Sequence, residues 1–497
     1  MRFCLPLLAA LATCSCGPSG GSGPIEVAVI GAPDDPFEQG IRLSLAAQHL
    51  RAATQEGLVA LDPAGQVVPA IAERWIVTDD GLSYIFRLRD STWPDGEEIT
   101  AVEIRQQLRA AITRLRGTSL GLDLAKVREI RAMTGRVIEV RLTAPMPDLL
   151  RLLAQPELGF VRSGSGAGPM AMSRDQETAS ARLSALPPET RGLPALEDWE
   201  ARARPIGVRA LPARDAVAAF GRGDVDLVLG GTLIDFPLAE VGPLSRGTIQ
   251  VDPAIGLLGL VVRRETPFLA DPARREALSM AIDRAALIRS FGLAGWRESS
   301  WVVPREIFSE PPYLADRWAG ASLDDRRRVA AARVRAWAGG AGAGAGGESG
   351  AREAVLRVAL PPGPGGDVLL RELASAWGSI GVTVRRAASS ESADLELRDT
   401  LARYPSAQWY LNQFHCSLGA GLCAPEADEL VRQSLTESDG AARERLLIEA
   451  HAALVEREVY IPLGAPVRWS LVRGTIRNYL PNLWGTHPLF PLSQPTT

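Results

Sequence analysis

Few residues in this chain have side chains and spacings suited to covalent or metal chemistry, and their settings argue mostly against it. Residues 117–121, GTSLG, match the hydrolase pattern G-x-S-x-G. That pattern needs a strand before the serine and a helix after it, so that a strained turn exposes the hydroxyl. Here helix-forming sequence precedes Ser119, and the elbow is missing. The histidines, His49, His415, His451 and His487, lie far apart, with no H-E-x-x-H and no Cys/His spacing for zinc. His415 beside Cys416 is the single metal-flavoured pair, and His451 reads as structural within an amphipathic helix. Lys126 is the only lysine, and no glycine-rich loop ends in Gly-Lys, which excludes a P-loop ATPase. The paired carboxylates Asp79 and Asp80 sit in a turn, where aspartate is favoured for backbone reasons. No cofactor is implied, and binding is favoured over catalysis.

The elements that hold the remaining polar and aromatic residues alternate between strand and helix along the chain, which predicts an α/β protein. Residues 25–33, IEVAVIGAP, read as a first core strand, and 41–54 as a helix. Residues 73–89 form a hairpin around Asp80-Gly81, with Tyr84, Phe86 and Leu88 on one face. Pro94-Asp95-Gly96 then turns the chain. Thr100 caps a helix, Glu103 completes a capping box, and Ile104, Leu108, Ile112 and Leu115 form the buried stripe. Strand 135–142, helix 148–154, a helix, glycine turn and strand over 213–231, and one long helix over 272–291 follow. Further on come strand 353–362, a helix, turn and strand over 366–387, and helices 425–436 and 441–458. The glycine-rich run 339–350 predicts a mobile surface insertion.

The chain has 497 residues, too many for one core, and its 46% hydrophobic and 23% charged content is ordinary for globular domains. A net charge of −4, with arginines scattered among acids, gives no attraction to nucleic acid. Residues 1–16 have Arg2, an apolar run and small residues ending in cysteines, which read as a secretory signal. A cysteine at the cleavage point resembles a bacterial lipoprotein signal. Cys16 is the preferred lipidated residue and Cys14 the alternative, with residues 17–24 as a flexible tether; the plain secreted protein is the other reading. No later run is long and apolar enough to span a bilayer, so lipid alone would hold the chain at a membrane. Outside the anchor region the cysteines are Cys416 and Cys423. A disulfide between them would stabilise by about 2–3 kcal/mol through loop entropy; two free thiols are the alternative.

The run EGLVALDPAGQVVPAIAERWIVTDDGLSYIFRLRDSTWPDGEEITAVEI (56–104) resembles the signature region of solute-binding protein family 5 of bacterial ABC importers, the oligopeptide-, dipeptide- and nickel-binding periplasmic proteins. The similarity runs through Glu56-Gly57-Leu58, Pro69, Ala72, Trp75, Asp80-Gly81, Tyr84, Phe86, Leu88-Arg89, Asp95-Gly96, Thr100-Ala101 and Ile104. Trp93-Pro94 departs from it. GAGPM (166–170), FGRGDVDLV (220–228), TPFLADPARREALSMAIDRAALI (266–288), GSIGVTVRR (378–386), PEADELV (425–431) and VYIPL (459–463) resemble further family segments in order. The resemblance implies a two-lobed, class II periplasmic binding protein of the peptide-binding type. Lobe I would comprise 25–60, 166–255 and 465–497, with a small domain, 61–165, inserted, and lobe II would be 256–464. It implies a monomeric, non-enzymatic, membrane-anchored periplasmic protein. That protein would capture a peptide or similar small solute and deliver it to ABC permease and ATPase subunits. A non-transport binding or chaperone-like lipoprotein on the same scaffold is the alternative.

The resemblance also locates a binding site. Relatives carry an aspartate that pairs with the peptide amine, and the comparable place, beside Tyr404, holds Arg403. An arginine there would favour an anion, or would be surface if the alignment slips. Trp409, Tyr410, Asn412 and Gln413 offer flat faces and amides suited to a cleft wall. Trp484 and Asp35 are further candidates.

Overall fold

The computed structural model describes residues 23–239, 247–293, 295–309, 317–340 and 352–494. The leader, Cys14, Cys16, most of the tether and most of the glycine-rich run 339–350 lie outside the described residues.

Three sheets organise the chain. The first has seven strands, in the order Met170–Asp175, Ser180–Ala185, Ile206–Leu211, Ile25–Ile30, Leu227–Thr232, Arg468–Val472 and Ile249–Asp252. Its centre is parallel and its flanks antiparallel. Val27, Val29, Ile206 and Leu227 pack with Leu50 of the helix Leu45–Thr54 and with Leu489 and Leu492 near the C-terminus. The second sheet runs Val382–Arg386, Ala354–Ala359, Leu395–Leu401, Gly256–Val262 and Tyr460–Gly464. One of its faces packs on helices through Leu258, Leu260, Leu278 and Trp377. Two short segments, 253–255 and 465–467, carry the chain between these sheets. They link paired strands on either side, so they run together like the two cords of a hinge.

The third of these sheets is antiparallel, in the order Ala72–Val77, Ser83–Leu88, Val137–Leu142 and Val127–Ala132. The hairpin is made as the alternation predicts: Tyr84, Phe86 and Leu88 are buried, and Gly81 takes the positive φ (67°) of the turn. Each such side chain contributes about 1.5–3 kcal/mol on burial. The helix Ala101–Arg114 starts where Thr100 Oγ1 accepts from the Glu103 N–H at 3.3 Å. The expected capping box is not completed. The Glu103 carboxylate instead accepts from Trp93 Nε1 at 2.9 Å and lies 3.6 Å from Arg162. The core of this sheet continues without a break into Tyr404, Trp409, Tyr410, Phe414 and Leu454, which belong to the second sheet's layer.

Two expectations change. The helix predicted over 272–291 is two helices, Pro272–Ala281 and Arg284–Phe291. Ile282 is extended, and the Asp283 carboxylate accepts from the Ala286 N–H at 2.9 Å, so an aspartate inside the apolar pattern starts a new helix. The arginine-rich segment Leu323–Gly339, not expected from periodicity, is a helix.

Candidate functional site

A cavity of about 520 Å³ lies where all three units meet. The first sheet supplies Asp35, Glu38, Arg42 and Ser44, on the segment leaving the strand Ile25–Ile30. That segment is braced by its own side chains. Asp35 Oδ2 accepts from the Ala32 N–H at 2.8 Å, Glu38 Oε2 accepts from the Ser44 N–H at 2.5 Å, and the Ser44 hydroxyl donates to the Asp35 carbonyl at 2.9 Å. Across the cavity stand Arg398, Arg403 and Gln413 from the second sheet's layer, with Thr118, Ser119 and Glu157 from the small unit. Arg398 Nη1 donates to the Gln413 carbonyl at 3.1 Å, and burial holds its pKa below the ordinary arginine value. Carboxylates and guanidiniums therefore share one cavity, which suits a ligand carrying both charges.

Arg403 is already paired. Its guanidinium grips Glu157 at 2.7 and 3.1 Å and Gln155 at 2.6 Å, and the Glu157 side chain is only 3% exposed. Burial lowers the Arg403 pKa, but Glu157 outweighs this and keeps it above the ordinary value. Tyr404 is also spent, on a group that motif reading missed. Its hydroxyl donates to Asp123 Oδ1 at 3.0 Å, and Asn412 Nδ2 donates to the same oxygen at 2.8 Å. Asp123 is fully buried and its Oδ2 has no partner. Desolvation pushes its pKa up to about 7, against the two hydrogen bonds and the Arg403 charge. Asp123 sits in the apolar run LGLDLA, so a carboxylate on a burying face was its one sequence signal. Glu157, in AQPELG, gave none.

Trp409 is core, 1% exposed, and meets Tyr410 edge to face with ring centroids 4.9 Å apart. Tyr410 lines a different cavity, inside the second sheet's layer. Gln413 lines the three-way cavity while its Nε2 donates to the Trp409 carbonyl at 3.2 Å. Trp484 is removed from it: the Arg151 guanidinium lies 3.9 Å over the ring, on the small unit. Of the eight candidates, the structure thus brings Asp35, Arg403 and Gln413 together. Cys416 and Cys423 are joined in a disulfide, with Cα atoms 5.2 Å apart. His415 Nδ1 accepts from the Ser417 N–H at 3.2 Å, as a helix cap. Ser119 follows the helix Ala101–Arg114 and opens a short helix, Ser119–Asp123, with no strand delivering it.

Residues 66–185 match the family described as bacterial extracellular solute-binding proteins, family 5 middle. A probable di/tripeptide-binding protein of Pseudomonas aeruginosa is 23% identical over 484 residues, 85% of this chain and 86% of its own. A probable deoxycholate-binding periplasmic protein of Escherichia coli is 33% identical over 121 residues, 21% of this chain and 23% of its own. Among solved structures, Haemophilus influenzae OppA in complex with the peptide RPPGFSPFR superposes with a TM-score of 0.77 at 17% identity, covering 95% of this chain and 99% of that one. The fold is that of the two-lobed peptide-binding proteins with an added small domain. The matched region is centred on the small sheet, and over nearly its whole length the chain is similar in fold to these peptide-binding proteins.

Proposed function

We propose that this chain is the extracytoplasmic binding subunit of an ABC importer, and that it captures a short peptide or similar zwitterionic solute between two lobes. The carrying observation is the mixed-charge cavity between the Asp35–Ser44 segment and Arg398, Arg403 and Gln413. Lobe I is 25–60, 166–255 and 465–497, the inserted domain is 61–165, and lobe II is 256–464. The paired segments 253–255 and 465–467 are the hinge. Ligand contacts made to both lobes at once bias them toward closure, and the dry cleft strengthens each hydrogen bond. The closed form then meets the permease, whose ATPases supply the energy.

The Arg403–Glu157 pair alters how the ligand's ends are held. No second-lobe aspartate stands beside Tyr404, and Arg403 is neutralised by the protein's own carboxylate. The amine therefore goes to Asp35 and Glu38, and the carboxylate to Arg42 and Arg398. Binding along a peptide main chain leaves the side chains free to vary. The relatives support this reading, since one is described as di/tripeptide-binding and another is held with a nine-residue peptide. Export by residues 1–16 and lipidation at Cys16, with Cys14 as the second candidate, would hold the protein at the periplasmic side of a membrane. Mass spectrometry of small molecules released by denaturing the purified protein tests the ligand assignment. Short peptides are the expected species, and a purely apolar ligand would oppose it.

A further inference from the structure

A second cavity, of about 490 Å³, is lined by residues of the second lobe and hinge alone among the described residues. It lies beside the strand Tyr460–Gly464 and the start of Gly256–Val262, and the segment 297–307 forms its outer wall. Trp301, Trp318, Tyr410 and Tyr460 give it flat apolar faces.

Its polar groups are out of balance. Among the described residues, Arg284, Arg297, Arg317 and Arg326 face Asp283, Glu298 and Glu306. Asp283 is occupied as a helix cap, accepting from the Ala286 N–H. Arg284 is buried and, among the described residues, donates to the carbonyls of Ser279, Ser299 and Pro462 and to the Ser279 hydroxyl, with no carboxylate among these partners. Arg317 is held by Glu458. The guanidiniums of Arg284, Arg317 and Arg326 all lie within 6.0 Å of the Trp318 ring. Burial, and then the charges of Arg317 and Arg326, lower the Arg284 pKa to about 9, which marks like-charge crowding. Arg326 Nε is buried without a partner, and Arg297 is exposed with no carboxylate paired to it among the described residues.

The two phenols sharpen this. Tyr410 and Tyr460 are 0% and 2% exposed, and among the described residues neither hydroxyl donates a hydrogen bond, the Tyr410 oxygen having only the Gly256 N–H near it. Both rings line the cavity together with Arg297 and Glu306, whose charges act on Tyr410, while Arg398 and Asp399 act on Tyr460. A buried donor left unmade is costly, so two on one wall ask for an acceptor. An anion would satisfy both hydroxyls and offset the arginines, while an aromatic body would match the ring-lined faces.

We propose that this cavity is a second ligand site, distinct from the interlobe cleft, which takes a small aromatic carboxylate whose oxygens accept from Tyr410 and Tyr460 and pair with Arg297. The test is calorimetric titration of the whole chain with phenylacetate, with benzyl alcohol as the neutral control. Saturable binding of phenylacetate alone is expected, weakened about tenfold or more by Arg297→Gln and by Tyr410→Phe. Tyr410→Phe keeps the ring that meets Trp409. If it lowers the melting temperature, Arg297→Gln decides alone, because that side chain is exposed and has no paired carboxylate among the described residues. Absence of phenylacetate binding, equal binding of benzyl alcohol, or binding indifferent to Arg297→Gln would overturn the proposal.

Discussion

At the scale of single residues, the junction between the small domain and lobe II rests on two buried carboxylates. Glu157 has Arg403 as its counter-ion. Removing that arginine leaves a 3% exposed carboxylate unpaired, so Arg403→Ala should cost about 3 kcal/mol in denaturant unfolding. Asp123 behaves oppositely. Its folded-state pKa, about 7, lies above the ordinary carboxylate value, so the folded chain holds this proton more tightly than the unfolded chain. Stability from this group is full below about pH 4 and is lost as pH rises to about 7. Asp123→Asn keeps the oxygen that Tyr404 and Asn412 donate to and removes the titration. The variant's melting temperature relative to the parent should therefore be higher at about pH 8 than at about pH 5. An unchanged difference would contradict the buried-proton reading. Residue identities were only partly informative here. The missing aspartate beside Tyr404 was visible, but its replacement's partner, Glu157, lies far away in the chain and only the fold reveals it.

At the scale of elements, local chemistry explains most starts and stops. Thr100→Ala should cost about 1 kcal/mol by freeing the Glu103 N–H, whereas Glu103→Ala acts by stripping Trp93 Nε1 of its acceptor. Equilibrium unfolding of both variants separates the two effects. Replacing Cys416 and Cys423 together by serine should cost about 2–3 kcal/mol, since the bridge closes a short loop, and the midpoint of unfolding reports it. The hairpin of 73–89 and the glycine-ended helix near 213–222 were legible because alternation, Asp-Gly and C-terminal glycine all agree there. Several other elements were not. Gly256–Val262 is buried on both faces and shows no alternation. Ser180–Ala185 is short and carries mixed small and polar residues. In Leu323–Gly339 only Ala330 and Val334 are buried, too narrow a stripe to stand out among arginines. The break at Asp283 was hidden because apolar spacing continues across it.

At the scale of the whole molecule, three sheets meet around one mixed-charge cavity, and two adjacent segments join the lobes that would close on it. The family pattern was readable from the ordered motifs of 56–104 onward. The cleft's composition was not, because Arg42, Arg398 and Glu157 come from three separate stretches that only the fold assembles. Peptide capture between the lobes is the central claim. Its most direct test is the melting temperature of ligand-stripped protein with di- to tetrapeptides in large excess. The account expects a rise of about 2–4 °C in the parent, as linkage requires for a ligand that binds only the folded state, and its loss in Arg42→Glu. No rise in the parent with any peptide, or an equal rise in the variant, would contradict it.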